Sequence, residues 1–531
     1  MIDELVGQLI WGFISAGDEI AGAEDAARNG RLAGVWLLPT EMRSAAETAM
    51  LVNQLQMASP VPLLVGVDAE AGLGLVMGTA THLPTAMALG ATRDPQLVRE
   101  AAWVTAAEAH ACGINAIAAP VLDVNVNPRN PIINTRAYGG TPELVAQLGV
   151  AFIEALEATP TAAGRVVPIG KHFPGHGDTQ KDSHLQLEAV TESRARLDTV
   201  ELAPFRAAIE ADVPLLMTAH VAYPALDVSG LPATLSRPIL NDLLKEEMGF
   251  RGAVVSDCMN MHAIAHNFDA AEAAVMAVLA GCDLILTDQW DLTFQALMRA
   301  ALEGRISLAR MQEAADRVHQ VKLSVFGPEL AHPHPVDPQL AHRSVGTRSH
   351  GQIAERIAEA SITAVAGQVP PPTDQPLIIA TRMARRSGFG PPVEVQIRAA
   401  LHALGWEKAD VHMVDPVPDP LEVRKAIEHA ESAGWVALLH FNRVQSFDPD
   451  AVAVGSELMR LLDAVTERGI PATIVSMGSP YALPDFGANV AQLCAYSTCD
   501  ASLRAALRVL KGETTAAGRL PVELRPPSLA R

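Results

Sequence analysis

The chain has 531 residues, 49% apolar, 4% aromatic and 19% charged, which is too long for one hydrophobic core and ordinary for α/β material. A net charge of -20 without long acidic runs excludes nucleic acid or an anionic membrane as the main partner. The opening Met1-Ile2-Asp3-Glu4-Leu5 carries acid where a secretory leader carries Lys or Arg, and no apolar stretch approaches a membrane span, so a cytoplasmic setting is expected. Five cysteines without paired spacing fit reduced thiols, with Cys258 and Cys282 read as core residues.

From the start to about residue 330, short apolar runs alternate with helical patterns, the rhythm of a parallel sheet. The predicted strands are Gly34–Leu38, Leu63–Val67, Ile114–Pro120, Val166–Gly170, Pro214–Thr218, Ala253–Ser256 and Asp283–Thr287. Leu202, Phe205 and Ile209 share a helical face, and Ala270–Ala280 reads as a helix stopped by Gly281. Seven or eight such units suit a closed (β/α)8 barrel of TIM type over residues 1–330 better than an open sheet.

Pro328, Pro333, Pro335 and Pro338 break both patterns, and a linker is expected at 331–345. Beyond it, Leu377–Thr381, Trp435–His440 and Ala472–Met477 are strand candidates of an α/β sandwich over 346–531, smaller than the barrel.

The densest chemistry lies in Lys171-His172-Phe173-Pro174-Gly175-His176-Gly177-Asp178-Thr179-Gln180-Lys181-Asp182-Ser183-His184, which leaves the C-terminal end of a buried strand. If Asp182 accepts a hydrogen bond from His184, it orients the imidazole and favours its protonated form, making a general acid/base. Asp257 ends another strand and, taken by itself, reads first as a cap of the following helix. His172 and His176 have the i, i+4 spacing of zinc ligands, but Pro174 and Gly175 between them oppose the helix that this spacing needs. Asp68 and Arg136 are further strand-end groups of the kind that bind sugar hydroxyls. Gly72-Leu73-Gly74 with Gly78 is not a dinucleotide fingerprint, and no phosphate-binding loop occurs.

Taken together these segments resemble glycoside hydrolase family 3, in its β-N-acetylglucosaminidase branch. Lys171 to Gly177 followed by Asp182-Ser183-His184 is the strongest match. Gly66-Val67-Asp68-Ala69-Glu70, Ala119 to Asn125, the Arg136 segment, Ala233-Thr234-Leu235-Ser236 and Val255-Ser256-Asp257 follow in family order. Ser476 to Tyr481 and Gly518 to Val522 look like the second domain of two-domain members. The loop Asp68-Ala69-Glu70-Ala71-Gly72-Leu73 departs from the usual Asp-Gln-Glu-Gly-Gly-Arg, and Thr135-Arg136-Ala137 from the commoner Arg-Ser-Phe, while keeping the arginine.

The resemblance implies a retaining exo-hydrolase of terminal β-linked N-acetylglucosamine, from cell-wall turnover fragments or chitin oligosaccharides. Asp257 would be the nucleophile, His184 with Asp182 the acid/base, and Asp68, Arg136, Lys171 and His172 the groups that hold the sugar. With the acid/base in the barrel, the second domain is dispensable for proton transfer. No metal or cofactor is implied, and a monomer or homodimer is expected. A phosphorylase using the same residues is the nearest rival; a silent sugar-binding protein and a zinc hydrolase are the others.

Overall fold

The computed structural model describes residues 2–14, 18–159, 165–179, 187–373, 375–383, 391–442, 454–483 and 490–524. Eight strands form the first sheet: β1 (Ile10–Ile14), β2 (Gly34–Leu37), β3 (Leu64–Val67), β4 (Ala116–Ile117), β5 (Val167–Phe173), β6 (Leu215–Thr218), β7 (Ala253–Val255) and β8 (Ile285–Thr287). Their order is β8-β1-β2-β3-β4-β5-β6-β7, with every pairing parallel. A parallel bridge between Val255 and Leu284 brings β7 to β8, and the Asp283 and Leu284 amides donate to Val254 O at 2.7 and 3.0 Å, closing the ring.

Side-chain alternation sorts each strand between two cores. Trp11, Trp36, Val167, Leu215 and Leu286 point inward and fill the barrel, with Trp11 and Trp36 edge to face at 5.2 Å. Val318, Val321 and Val325 of the helix Leu308–Phe326 join that cluster, whereas Ile10, Val35, Val65 and Val254 face the surrounding helices. The strands are continuous apolar runs because both faces are covered.

The second sheet comprises β9 (Thr363–Ala366), β10 (Leu377–Thr381), β11 (Asp410–Val414), β12 (Val436–His440), β13 (Ala472–Ser476) and β14 (Val490–Cys494), in the order β9-β14-β13-β12-β10-β11. Only β9 is antiparallel. Ile379 and Leu438 pack with Leu458 and Leu461 on one face, and Ile378 and Leu439 with Ile397 and Leu503 on the other, so helices cover both sides. Between the barrel and this sheet run the helices Pro338–Ser344 and Arg348–Ser361. Glu108, fully buried on a barrel helix, accepts from the Thr81 amide and hydroxyl, the Gly346 amide and His350 Nδ1, tying that connection to the barrel.

All seven predicted barrel strands are present, though only Ala116–Ile117 of the expected Ile114–Pro120 run pairs as β4. The pattern does not signal β1, interrupted by Gly12, the buried β14, interrupted by Gln492, the short β9, or the edge strand β11, where Asp410 and His412 break the apolar run. All five cysteines are free; Cys282 is buried, but Cys258 is only partly so, a correction to its reading as a core residue. Among the described residues no helix is long and apolar enough to cross a membrane.

Lys322, 1% exposed, has its ammonium against Gln8 Oε1 at 2.7 Å, and burial lowers its pKa from 10.5 to about 7. The unfolded chain keeps this proton up to about 10.5, so the penalty is fully present below pH 7 and fades as pH rises toward that value. Lys322→Met is therefore expected to stabilise the fold by about 2 kcal/mol at pH 6. The gain should disappear near pH 10.5 in urea unfolding measured across that range.

Candidate active site

The polar groups singled out in the sequence gather at the C-terminal ends of the barrel strands. Asp68 and Glu70 follow β3, and Lys171 and His172 lie near the end of β5. The ladder from β5 to β6 shifts register between Gly170 and Phe173, and Lys171 and His172 are the two residues spanned by that irregularity. Such irregularities re-aim side chains beside active sites.

Lys171 is 2% exposed, and its ammonium donates to Asp68 Oδ1 at 2.7 Å and reaches Glu70 Oε1 at 2.6 Å. Arg136, on the turn Asn134–Arg136, donates to Glu70 through Nε at 2.9 Å and Nη2 at 2.8 Å, and to Ile132 O through Nη1 at 3.0 Å. Burial pushes the Glu70 carboxyl up, but the Arg136 and Lys171 charges outweigh it and hold the group well below the usual carboxylate range. Burial likewise lowers both bases, while the carboxylates beside them raise them further. Glu70, Arg136 and Lys171 are thus held ionised, with Asp68 half-exposed as the solvent-facing edge of the array.

Behind it sits Asp123, fully buried. His172 Nδ1 lies 2.7 Å from Asp123 Oδ2, and the His176 amide donates to Oδ1 at 2.6 Å. Arg136 Nη2 lies 3.4 Å from His172 Nε2; a guanidinium only donates, so Nε2 accepts and the imidazole proton sits on Nδ1, toward Asp123. Burial lowers His176 to about 4, so its ring is neutral near pH 7. The His176 Nδ1 pairs with Thr179 Oγ1 at 2.8 Å, and the two histidine rings stand edge to face at 5.9 Å. A Cβ on Gly177 would fall 1.8 Å from Val124 O, so only glycine allows this loop to lie against the Asp123 segment.

Asp257 follows β7. Its amide lies 3.4 Å from Thr218 Oγ1, and its Oδ1 accepts from the Cys258 amide at 2.7 Å. The next helix, His262–Ala265, starts from Met261 without a side-chain cap, so Asp257 is not spent as its N-cap. His220 Nε2 donates to Cys258 O at 3.0 Å; Nδ1 therefore accepts from Thr234 Oγ1 at 2.7 Å, and Thr218 Oγ1 follows at 2.8 Å. This relay fixes the backbone on both sides of Asp257. Burial raises the Cys258 thiol, and the charges of Asp257, Asp288 and Asp68 add to the shift.

The sequence-predicted Asp68, Arg136, Lys171 and His172 are thus one connected array, and Asp257 stands on a different strand end. Asp182 and His184 lie outside the described residues. Sequence reasoning did not single out Glu70, Asp123, Thr218, His220 and Thr234. For Asp123 the signal was a carboxylate inside the apolar run Val121-Leu122-Asp123-Val124, which a buried chain tolerates only with partners. Asp123→Asn should cost about 2 kcal/mol of stability and speed hydrogen exchange at the His172 and His176 amides. Unchanged exchange there would remove Asp123 as their anchor.

Residues 1–321 match the glycosyl hydrolase family 3 N terminal domain. Over 510 residues the chain is 29% identical to a β-N-acetylglucosaminidase/β-glucosidase of Cellulomonas fimi, spanning 90% of this chain and 87% of that protein. It is 34% identical to β-hexosaminidase A of Pseudoalteromonas piscicida over 63% of this chain and 59% of the relative. Among solved structures, a glycoside hydrolase family 3 β-N-acetylglucosaminidase from Paenibacillus sp. str. FPU-7 superposes with a TM-score of 0.85 at 31% identity, covering 99% of both chains. The barrel and the second α/β domain agree with these likenesses: the chain belongs to glycosyl hydrolase family 3 and is a glycoside hydrolase.

Proposed function

We propose that this enzyme is a retaining exo-β-N-acetylglucosaminidase. The observation that carries the reading is the paired array of Asp68, Glu70, Arg136 and Lys171 at the C-terminal ends of the barrel strands, the same ends that carry Asp257. Such an array offers fixed donors and acceptors to the hydroxyls of one terminal sugar, with little reorganisation when it binds. The likeness to a β-N-acetylglucosaminidase over the full length of both chains supports N-acetylglucosamine as that sugar. The natural substrates are then cell-wall turnover fragments or chitin oligosaccharides.

In this mechanism Asp68, Arg136, Lys171 and His172 hold the sugar at its non-reducing end. Asp257 attacks the anomeric carbon as the glycosidic bond breaks, and His184, oriented by Asp182, protonates the departing oxygen. The glycosyl-Asp257 ester is then opened by water, which His184 deprotonates, returning both groups to their starting states.

With an aryl N-acetyl-β-glucosaminide, free sugar is expected as product whether or not phosphate is present. Sugar 1-phosphate growing with phosphate would instead make the enzyme a phosphorylase. Asp257→Ala should reduce kcat by about 10³-fold or more while the protein still binds sugar; surviving turnover would displace Asp257 as nucleophile. His184→Ala should slow oligosaccharide cleavage far more than cleavage of an activated aryl glycoside, which leaves without protonation. Equal losses on both would deny His184 the acid role.

A further inference from the structure

The loop that carries Arg136 is held by the second domain. Tyr481 lies on the turn Pro480–Ala482 beyond β13, and its hydroxyl accepts from Asn125 Nδ2 at 2.9 Å. Asn125 is 1% exposed; its Oδ1 accepts from the Asn134 amide at 3.0 Å, and its own amide donates to Gly139 O at 2.9 Å. Asn134, with a left-handed φ of 42°, opens the three-residue turn that ends at Arg136. At the far end of the loop the Gly140 amide donates to Pro521 O at 3.0 Å, and a Cβ on Gly139 would come within 2.6 Å of that oxygen.

We infer that Tyr481 is a positioning residue for sugar binding, acting through Asn125 and the 134–136 turn to preset Arg136. The inference rests on the proposed role of Arg136 in holding the sugar. Asn125 is a buried amide with a donor end and an acceptor end. Removing the hydroxyl it donates to leaves a buried N–H that must find another partner, and turning toward one takes Oδ1 off the Asn134 amide. Arg136 keeps its two bonds to Glu70, so the guanidinium is displaced rather than lost. The second domain thereby sets affinity for the sugar without supplying a group to proton transfer.

The test is steady-state kinetics of the full chain carrying Tyr481→Phe, Asn125→Ala, Arg136→Lys and their pairs. KM for the aryl glycoside and Ki for free N-acetylglucosamine are measured with kcat and the pH profile. For Tyr481→Phe and Asn125→Ala, KM and Ki should rise together by about three- to tenfold, with kcat within about twofold and the pH profile unmoved. Combined with each other or with Arg136→Lys, the effects should fall well short of additive. If Arg136→Lys raises KM and Ki but Tyr481→Phe does not, or if the two add fully, Tyr481 does not act through Arg136. If Arg136→Lys leaves both constants unchanged, the assigned role of Arg136 fails and the inference with it.

Discussion

Four side chains drawn from three barrel segments, Asp68 and Glu70 against Arg136 and Lys171, pair with one another at the mouth of the barrel. Lys171 sits at 2% exposure and Glu70 at 12%, so neither charge is sustained by water. Each buried charge is costly alone and tolerable only because its neighbours supply both Coulomb attraction and hydrogen bonds. Removing Glu70, the carboxylate shared by both bases, would leave Arg136 without its ion pair and Lys171 with Asp68 alone. The loops after β3 and β4 and the end of β5 must therefore meet in a single arrangement, which in the proposed mechanism faces the sugar.

The supporting shell follows from this demand. Asp123 holds the His172 ring and the backbone of the His176 turn, which fixes the segment that presents Lys171. At the ends of the neighbouring strands β6 and β7 the His220, Thr234 and Thr218 relay fixes the backbone at Asp257. Each relay begins with a histidine bonded to a fixed acceptor, so tautomer and position are set together. Catalysis by positioned charge depends on this prior order, since groups already oriented need not reorganise as charge develops.

Much of this was readable in the chain. Strands buried on both faces leave continuous apolar runs, so the barrel showed itself by rhythm, and the polar residues just past each run marked the working face. What stayed hidden was what depends on partners far apart in sequence. Glu70 is only a loop carboxylate until Arg136, 66 residues on, pairs with it. Thr218 and Thr234 are ordinary hydroxyls until the fold sets them 2.8 Å apart. Edge strand β11 was missed for a related reason, since Asp410 and His412 on its more exposed face dilute the apolar signal, whereas β9 is only Thr-Ala-Val-Ala, too short and small to mark a strand. The departure at Leu73, where the family carries arginine, is resolved by burial: Leu73 is fully enclosed in the core and presents no polar group to the site.

The central claim is that Asp257 forms a covalent glycosyl ester during turnover. Its most direct test is to treat the full chain with an N-acetylglucosaminyl donor bearing fluorine at C5 and a good leaving group, quench, digest, and map the label by mass spectrometry. The fluorine slows both steps, while the activated leaving group lets the ester accumulate. A single sugar on the peptide containing Val255-Ser256-Asp257 is the result this account expects. Label on another carboxylate, or turnover without any labelled peptide while Asp257→Ala remains active, would contradict it.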